Sequence, residues 1–408
     1  MVPVTPDAES RNTGDSPGRV PLPFEVWALV AGGFAVALGY GVVAPAIPQF
    51  ALDFGVTAFA ASAIVSAFAL MRIVGAPVGG WFVGRFGERF TYSAGILIVA
   101  ISTGAAALAL DYAQLLVLRG LGGIGSAMFT IAATALLVKV SPPAARGRVA
   151  SLNAAGFLLG SLIGPVFGGL VASFGVRAPF VFYFFTLIVA ATVVAIALRT
   201  STFASGGAGS GGADAMSLGE ALRIPHFRSL LTSVFAFGWA SYGVRISVIP
   251  IFVALVFGGD AAQAAWVLAA YAAGTAILIF PSGRWTDSFG RKPLLVAGLG
   301  VLAVTYLAFP ASPNLWVAIG IMFVAGAGSA LVNPGQQAVL ADTLAQRRGG
   351  PVVAAYSMAS DLGGVLGPLV AGAVVDLAGF GWAFGLTAGL LVVATIAWIV
   401  VPDSRRRA

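Results

Sequence analysis

GSLIGPVFGG at residues 160–169 decides the fold, because GGVLGPLVAG at 363–372 repeats it 203 residues later. Gly160, Gly164 and Pro165 return as Gly363, Gly367 and Pro368. The same offset carries Gly123 and Gly125 to Gly326 and Gly328. It also carries Gly80, Gly87 and Arg89 to Gly283, Gly290 and Lys292. One constant spacing across three segments means one unit written twice. Each segment is deeply apolar, so the unit is a block of membrane helices, and internal duplication of such blocks is a hallmark of secondary transporters.

Composition agrees. The chain is 59% hydrophobic and 9% charged, with mean hydropathy +0.97. Soluble domains carry about 25% charged residues, which excludes a water-exposed globule. The 54 glycines recur inside apolar stretches, where they let helix backbones approach closely in lipid. There are no cysteines, which removes disulfides, thiol catalysis and thiolate metal sites.

A span needs about 20 apolar residues. Six are expected at 25–48, 57–83, 91–110, 114–138, 149–174 and 178–198. Six more are expected at 228–257, 262–283, 293–310, 314–338, 351–375 and 381–401. The expected organisation is a tail at 1–24, a six-helix bundle at 25–198, a linker at 199–227, a second six-helix bundle at 228–401 and a basic tail at 402–408. The linker contains ASGGAGSGGADA at 204–215, a Gly/Ser composition suited to a flexible connector.

The net charge of +7 would suit a nucleic-acid binder until the charges are placed. Of 22 Lys and Arg, Arg72, Arg119 and Arg245 fall inside spans and Arg177 falls in an outer loop. The other 18 lie on the side shared by both termini, so that side is expected to be cytoplasmic by the positive-inside rule. No nucleic-acid partner is expected.

The short loops between spans are informative. GGWFVGRFGERF at 79–90 and PSGRWTDSFGRK at 281–292 occupy equivalent positions. They resemble the signature loop of the major facilitator superfamily: Gly, then Asp-Arg, Gly and two basic residues. Gly80, Arg85, Gly87 and Arg89 match in the first copy, where Gly84 stands in place of the Asp and Glu88 in place of a basic residue. Gly283, Asp287, Gly290, Arg291 and Lys292 match in the second, with Ser288 in place of Arg. The resemblance implies that these are cytoplasmic gating loops. It also implies unequal locks, Asp287 facing the start of the fifth span or Arg146 and Arg148.

RGLGGIGSA at 119–127 is similar to a second family motif, whose Arg is linked to proton transfer. An Arg at a span centre costs about 2.5–3.5 kcal/mol on insertion scales, so it faces a cavity or a partner unless it snorkels to the headgroups. Gly160, Gly164, Pro165, Gly168 and Gly169 resemble the motif of the drug:proton antiporter branches of the superfamily. LGYGVVAPAIPQF at 38–50 resembles the first-helix motif of its twelve-span exporters.

Asp361 is the only carboxyl well inside a span. With Arg119, Arg72 and Arg245 it forms the set of intramembrane charges expected to serve proton coupling, Asp361 pairing with Arg245 and carrying the proton. None of the four repeats at the 203 offset. Tyr40, Asn153, Trp239, Tyr242, Tyr271, Asn333, Gln336 and Gln337 are expected to line the substrate cavity. With no phosphate-binding loop and no clustered metal ligands, no enzyme, cofactor or metal site is expected, and a proton gradient is the natural energy source.

The resemblance therefore implies an all-α membrane protein of twelve helices in two pseudo-symmetric bundles. The expected protein is monomeric, sits in the plasma or inner membrane, and exports small, largely apolar compounds by proton antiport. Three buried Arg against one Asp point to neutral or anionic cargo. The alternatives are a sugar or metabolite efflux carrier, or a membrane receptor or assembly factor that moves no solute.

Overall fold

The structure is a computed structural model describing residues 21–142, 145–198, 216–344 and 350–401. Most of the expected 1–24 tail, the 204–215 tract and the 402–408 tail lie outside the described residues. Among the described residues twelve helices are long and apolar enough to cross a membrane.

The first crossing is broken: α1 (Phe24–Val43) gives way to α2 (Ala46–Leu52). The expected 25–48 helix is interrupted because Pro45 has no N–H to continue the ladder. Then follow α3 (Ala58–Phe86), α4 (Glu88–Ala106), α5 (Tyr112–Val140), α6 (Arg146–Ala172) and α7 (Ala178–Ala197). A short helix absent from the sequence reading, α8 (Leu218–Leu222), occupies part of the expected linker.

The seventh crossing starts at Pro225, three residues before its expected start at 228, as α9 (Pro225–Phe237). It continues through a π-helical turn (Gly238–Val244) into α10 (Arg245–Phe257). The second unit is completed by α11 (Ala261–Phe289), α12 (Arg291–Ala308), α13 (Leu315–Leu344), α14 (Gly350–Ala378) and α15 (Phe380–Val400). An even number of crossings returns both chain ends to one face, here the terminal face; the opposite one is the far face.

Helix starts repeat as well. Thr57 Oγ1 accepts from Ala60 N at 3.3 Å, and 203 residues on Asp260 Oδ1 accepts from Gln263 N at 2.9 Å. Asp111 Oδ1 accepts from Gln114 N at 2.8 Å, and Asn314 Oδ1 from Val317 N at 3.0 Å. Each satisfies an amide that the first helical turn leaves without a partner. Capping chemistry is kept although the residue types differ.

Each unit has its own buried core, and the small residues of the repeated motif hold it together. In the first unit Gly164 meets Gly41 so closely that a Cβ on Gly164 would lie 2.7 Å from the Gly41 Cα. In the second, a Cβ on Gly367 would lie 2.8 Å from the Trp239 carbonyl oxygen. So α6 packs on α1, and α14 packs on the seventh crossing, by backbone approach.

The last glycine of each motif copy does something else. Gly169 faces the Trp266 ring of α11, and Gly372 faces Ala58, Phe59 and Ser62 of α3. These contacts join the two units. Three motif positions pack a bundle and one seals the pair.

Candidate functional site

The site is defined by where the units touch and where they part. Five hydrogen bonds join them among the described residues, all toward the far face. Gln49 Nε2 donates to the carbonyls of Pro250 and Asp260, each at 3.2 Å. Asp376 accepts from Ala58 N at 3.0 Å and from Phe59 N at 2.9 Å, placing a carboxylate on the positive N-terminus of α3. Ser66 Oγ donates to the Val365 carbonyl at 2.7 Å. Ser66 lies eight residues into α3, so the bonded seal reaches about 12 Å from its start.

Ser66 is the deepest residue in this set of bonds. Near the terminal face a Cβ on Gly80, Gly84 or Gly283 would meet nothing within 4 Å. The described bonds between the units therefore gather at the far face.

Arg72 and Asp361 sit where the seal ends. The α3–α14 contact runs in antiparallel register through 58/376, 62/372 and 66/365, a register that carries 72 toward the level of 361. Arg72 is half-buried, Asp361 is exposed, and Arg72 is the cation whose charge reaches the Asp361 carboxylate. The expected pairing of Asp361 with Arg245 is not found. Asp361 shares a helix face with Val365, one turn on, which faces α3. Gly363 and Gly367, which face the seventh crossing, lie around the other side.

Arg245 has its own partners. Its guanidinium lies 4.3 Å over the Tyr271 ring, and its Nε donates to the Ser241 carbonyl at 2.9 Å. That carbonyl belongs to the π-helical turn, a geometry that often marks functional helices. The Tyr271 hydroxyl shares a 2.9 Å hydrogen bond with Ser241.

Arg119 does not snorkel; it is 2% exposed. Its guanidinium lies 4.7 Å over the ring of Phe68, which is the 203-residue counterpart of Tyr271. Its Nε and Nη1 are enclosed without a hydrogen-bond partner. Phe68 stacks on Tyr40 at 5.9 Å.

Of the other expected lining residues, Tyr242 is 46% exposed and Asn153 and Asn333 are half-buried. Gln337 is exposed and donates to the Tyr356 hydroxyl at 3.3 Å. Trp239, Tyr271 and Gln336 are corrections: each is buried within the second bundle. Trp239 Nε1 donates to Thr387 Oγ1 at 3.1 Å and Gln336 Nε2 to Ser233 Oγ at 3.3 Å. Their polar ends look inward because a buried donor must find an acceptor. Two grooves, about 390 Å³ between α1 and α7 and about 580 Å³ beside α6, α11 and α13, are apolar and away from these charges.

The loop residues are placed by pairs on the terminal side. Gly87 and Gly290 turn the chain at φ 81° and 96°. Glu88 pairs with Lys139 at 2.6 Å, and Arg291 pairs with Asp342 at 2.5 Å. Position 88 maps onto 291 and 139 onto 342, so one ion pair is built twice with its polarity reversed. This explains Glu88, which departs from the loop signature. Lys292 Nζ donates to the carbonyls of Ile399 and Val401. Arg85 and Arg89 are exposed, and the side chains of Asp287 and Arg146 lie outside those described, so the expected Asp287 lock does too.

Sequence reasoning missed Phe68 and Tyr183 around Arg119, and Gln49 and Asp376 in the seal. The 203 offset alone pointed to Phe68, through Tyr271.

Comparison with known proteins adds ancestry to this geometry. The profile described as the Major Facilitator Superfamily matches residues 29–248 and 230–408. The chain is 23% identical over 366 residues to the quinolone resistance protein NorA of Staphylococcus aureus (strain MRSA252), covering 86% of this chain and 90% of that one. It is 25% identical over 371 residues to multidrug resistance protein 1 of Bacillus subtilis (strain 168), covering 90% and 94%.

Among solved structures, a bacterial homolog of the human lysosomal transporter Spinster, inward-facing and occupied, superposes with TM-score 0.72 at 19% identity over 92% of this chain and 95% of that one. A D-xylose-proton symporter superposes with TM-score 0.71 at 18% identity, over 94% and 99%. At these identities the likeness is one of fold.

Proposed function

The chain belongs to the Major Facilitator Superfamily, and on that premise we propose a proton-driven exporter of small, largely apolar compounds of neutral or anionic character. The observation that carries the proposal is the placement of Arg72 and Asp361 just past the inner limit of the seal. A carboxyl there meets whichever face is open, as alternating access requires of a coupling group.

Asp361 carries the coupling proton, and Arg72 is the cation whose charge reaches it once the proton leaves. The terminal face is cytoplasmic in this reading, so the bonded seal lies on the outer side. Arg72, Arg119 and Arg245 outnumber the one deep carboxyl, which disfavours lipophilic cations. Drug export is favoured over sugar export because the relatives that align nearly end to end are drug-resistance proteins. The protein works as a monomer in the plasma membrane, with no cofactor and no covalent chemistry.

Flux into inverted membrane vesicles tests this. An imposed pH gradient, acid inside, is expected to drive uptake of neutral and anionic dyes and to leave cationic dyes largely outside. Uptake indifferent to the gradient would remove proton coupling. Strong cation uptake alone would overturn the substrate class, and absence of flux for any compound would favour a receptor or assembly role.

A further inference from the structure

Arg119 is a buried cation without a counter-charge. It leaves α5 seven residues after Tyr112, about 10 Å from the far-face end of the helix. Its Nε and Nη1 have no acceptor, and no carboxylate of a described residue acts on it. The groups within its electrostatic reach are the phenols of Tyr40 and Tyr183. Neither hydroxyl makes a hydrogen bond to a described residue, unlike those of Tyr112, Tyr271, Tyr306 and Tyr356.

Around these donors stand three rings. Phe68 lies under the guanidinium and Tyr40 stacks on Phe68. Tyr183 is admitted by Gly39, where a Cβ would lie 2.1 Å from its ring. Arg72, half-buried one turn beyond Phe68 on α3, also acts on Tyr183, so the group adjoins the α3–α14 contact. A guanidinium offers only donors, and a buried unpaired charge is sustained when a partner arrives.

We propose that Arg119, Tyr40 and Tyr183 form a subsite for the carboxylate of an aromatic monoanion, whose flat body lies against Phe68 and the two phenol rings. This deepens the exporter reading, on which it rests for the ligand being cargo. Binding itself is independent of transport. A carboxylate takes the unpaired N–H and O–H donors through charge-assisted bonds. The ring walls select an aromatic acid over a small hydrated ion.

The test is thermal unfolding of the purified full-length chain with benzoate, its neutral isostere benzamide, or chloride at matched ionic strength. Benzoate is expected to raise the wild-type midpoint saturably by several degrees, and the other two to leave it within one degree. Arg119→Met is expected to abolish the benzoate shift while unfolding no earlier than wild type without ligand. Tyr183→Phe, which keeps the ring and loses one donor, is expected to weaken benzoate binding several-fold.

Equal shifts with benzamide would overturn the proposal, as would equal shifts with chloride, which would make the site one for an inorganic anion. Retention of full benzoate binding by Tyr183→Phe together with a folded Arg119→Met would overturn it as well. An Arg119→Met protein that fails to fold leaves the Tyr183→Phe titration to decide. Benzoate binding without flux would sustain the subsite and sink the cargo reading; flux of neutral dyes without benzoate binding would do the reverse.

Discussion

Arg119 and Arg245 rest on rings 203 residues apart, 4.7 Å above Phe68 and 4.3 Å above Tyr271, yet their circumstances are opposite. Arg245 donates to a backbone carbonyl freed by a π-helical turn and remains half-buried. Arg119 is buried, with no acceptor for its Nε or Nη1 among the described residues. They even come from unrelated positions: the counterpart of Arg245 is Val42 and that of Arg119 is Met322. The duplicated frame supplies the aromatic platform twice, and each unit delivered its own cation to it. Shared positions build the machine; unshared charges give it chemistry.

The sharpest way to break that contrast is to remove each cation. Replacing a buried charge that has no partner by an apolar side chain removes its desolvation cost. Losing a charged hydrogen bond costs about 1.5–3 kcal/mol. Arg119→Met is therefore expected to gain stability in anion-free detergent and Arg245→Met to lose it. Equal losses by chemical denaturation would mean that Arg119 is satisfied much as Arg245 is.

The seal offers a second contrast between the units. A Cβ on Gly372 already lies 3.0 Å from the Ala58 carbonyl, so Gly372→Leu forces α3 and α14 apart; overpacking costs about 1–3 kcal/mol. The chain has no cysteine of its own, so Ser62→Cys supplies a unique reporter. Labelling of that cysteine from the far face by an impermeant maleimide is expected to rise several-fold in the Gly372→Leu background. A smaller rise is expected for Asp376→Asn, which leaves the α3 amides a neutral acceptor; charge at a helix start is worth about 0.3–1 kcal/mol, up to 2 when partly buried. Unchanged labelling in both would place the seal elsewhere.

The reversed ion pairs give the smallest effect. Glu88→Lys places like charges together and is expected to cost about 0.2–1 kcal/mol, the range for exposed pairs. Adding Lys139→Glu recreates the polarity already present at Arg291–Asp342 and is expected to restore stability. A double variant no better than the single would show that the polarity is not interchangeable.

The helices, the duplication and the bundle-packing role of Gly160 and Gly164 were legible in the sequence, because hydropathy and glycine spacing are local signals. So was the depth of the four charges. Their partners were not. Whether Asp361 faces α3 or the seventh crossing depends on helix rotation, and only the alignment of Gly363 and Gly367 on one side fixes it. Trp239 and Gln336 read as lining residues because polarity in a span suggests a cavity. Thr387 and Ser233, distant in sequence, absorb that polarity instead.

Glu88 read as a departure from a motif until Lys139 stood beside it. Tyr183 carried no sequence signal at all, since an aromatic near a span end is ordinary.

In the proposed mechanism the proton is carried at Asp361, the one carboxyl deep in a span, just past the point where the seal ends. The most direct measurement compares wild type with Asp361→Asn in proteoliposomes. Gradient-driven flux and gradient-free exchange of the same neutral dye would be recorded side by side. The account predicts that Asp361→Asn retains exchange and loses the response to the pH gradient. An Asp361→Asn protein that still pumps dye against its gradient at the wild-type rate would contradict it.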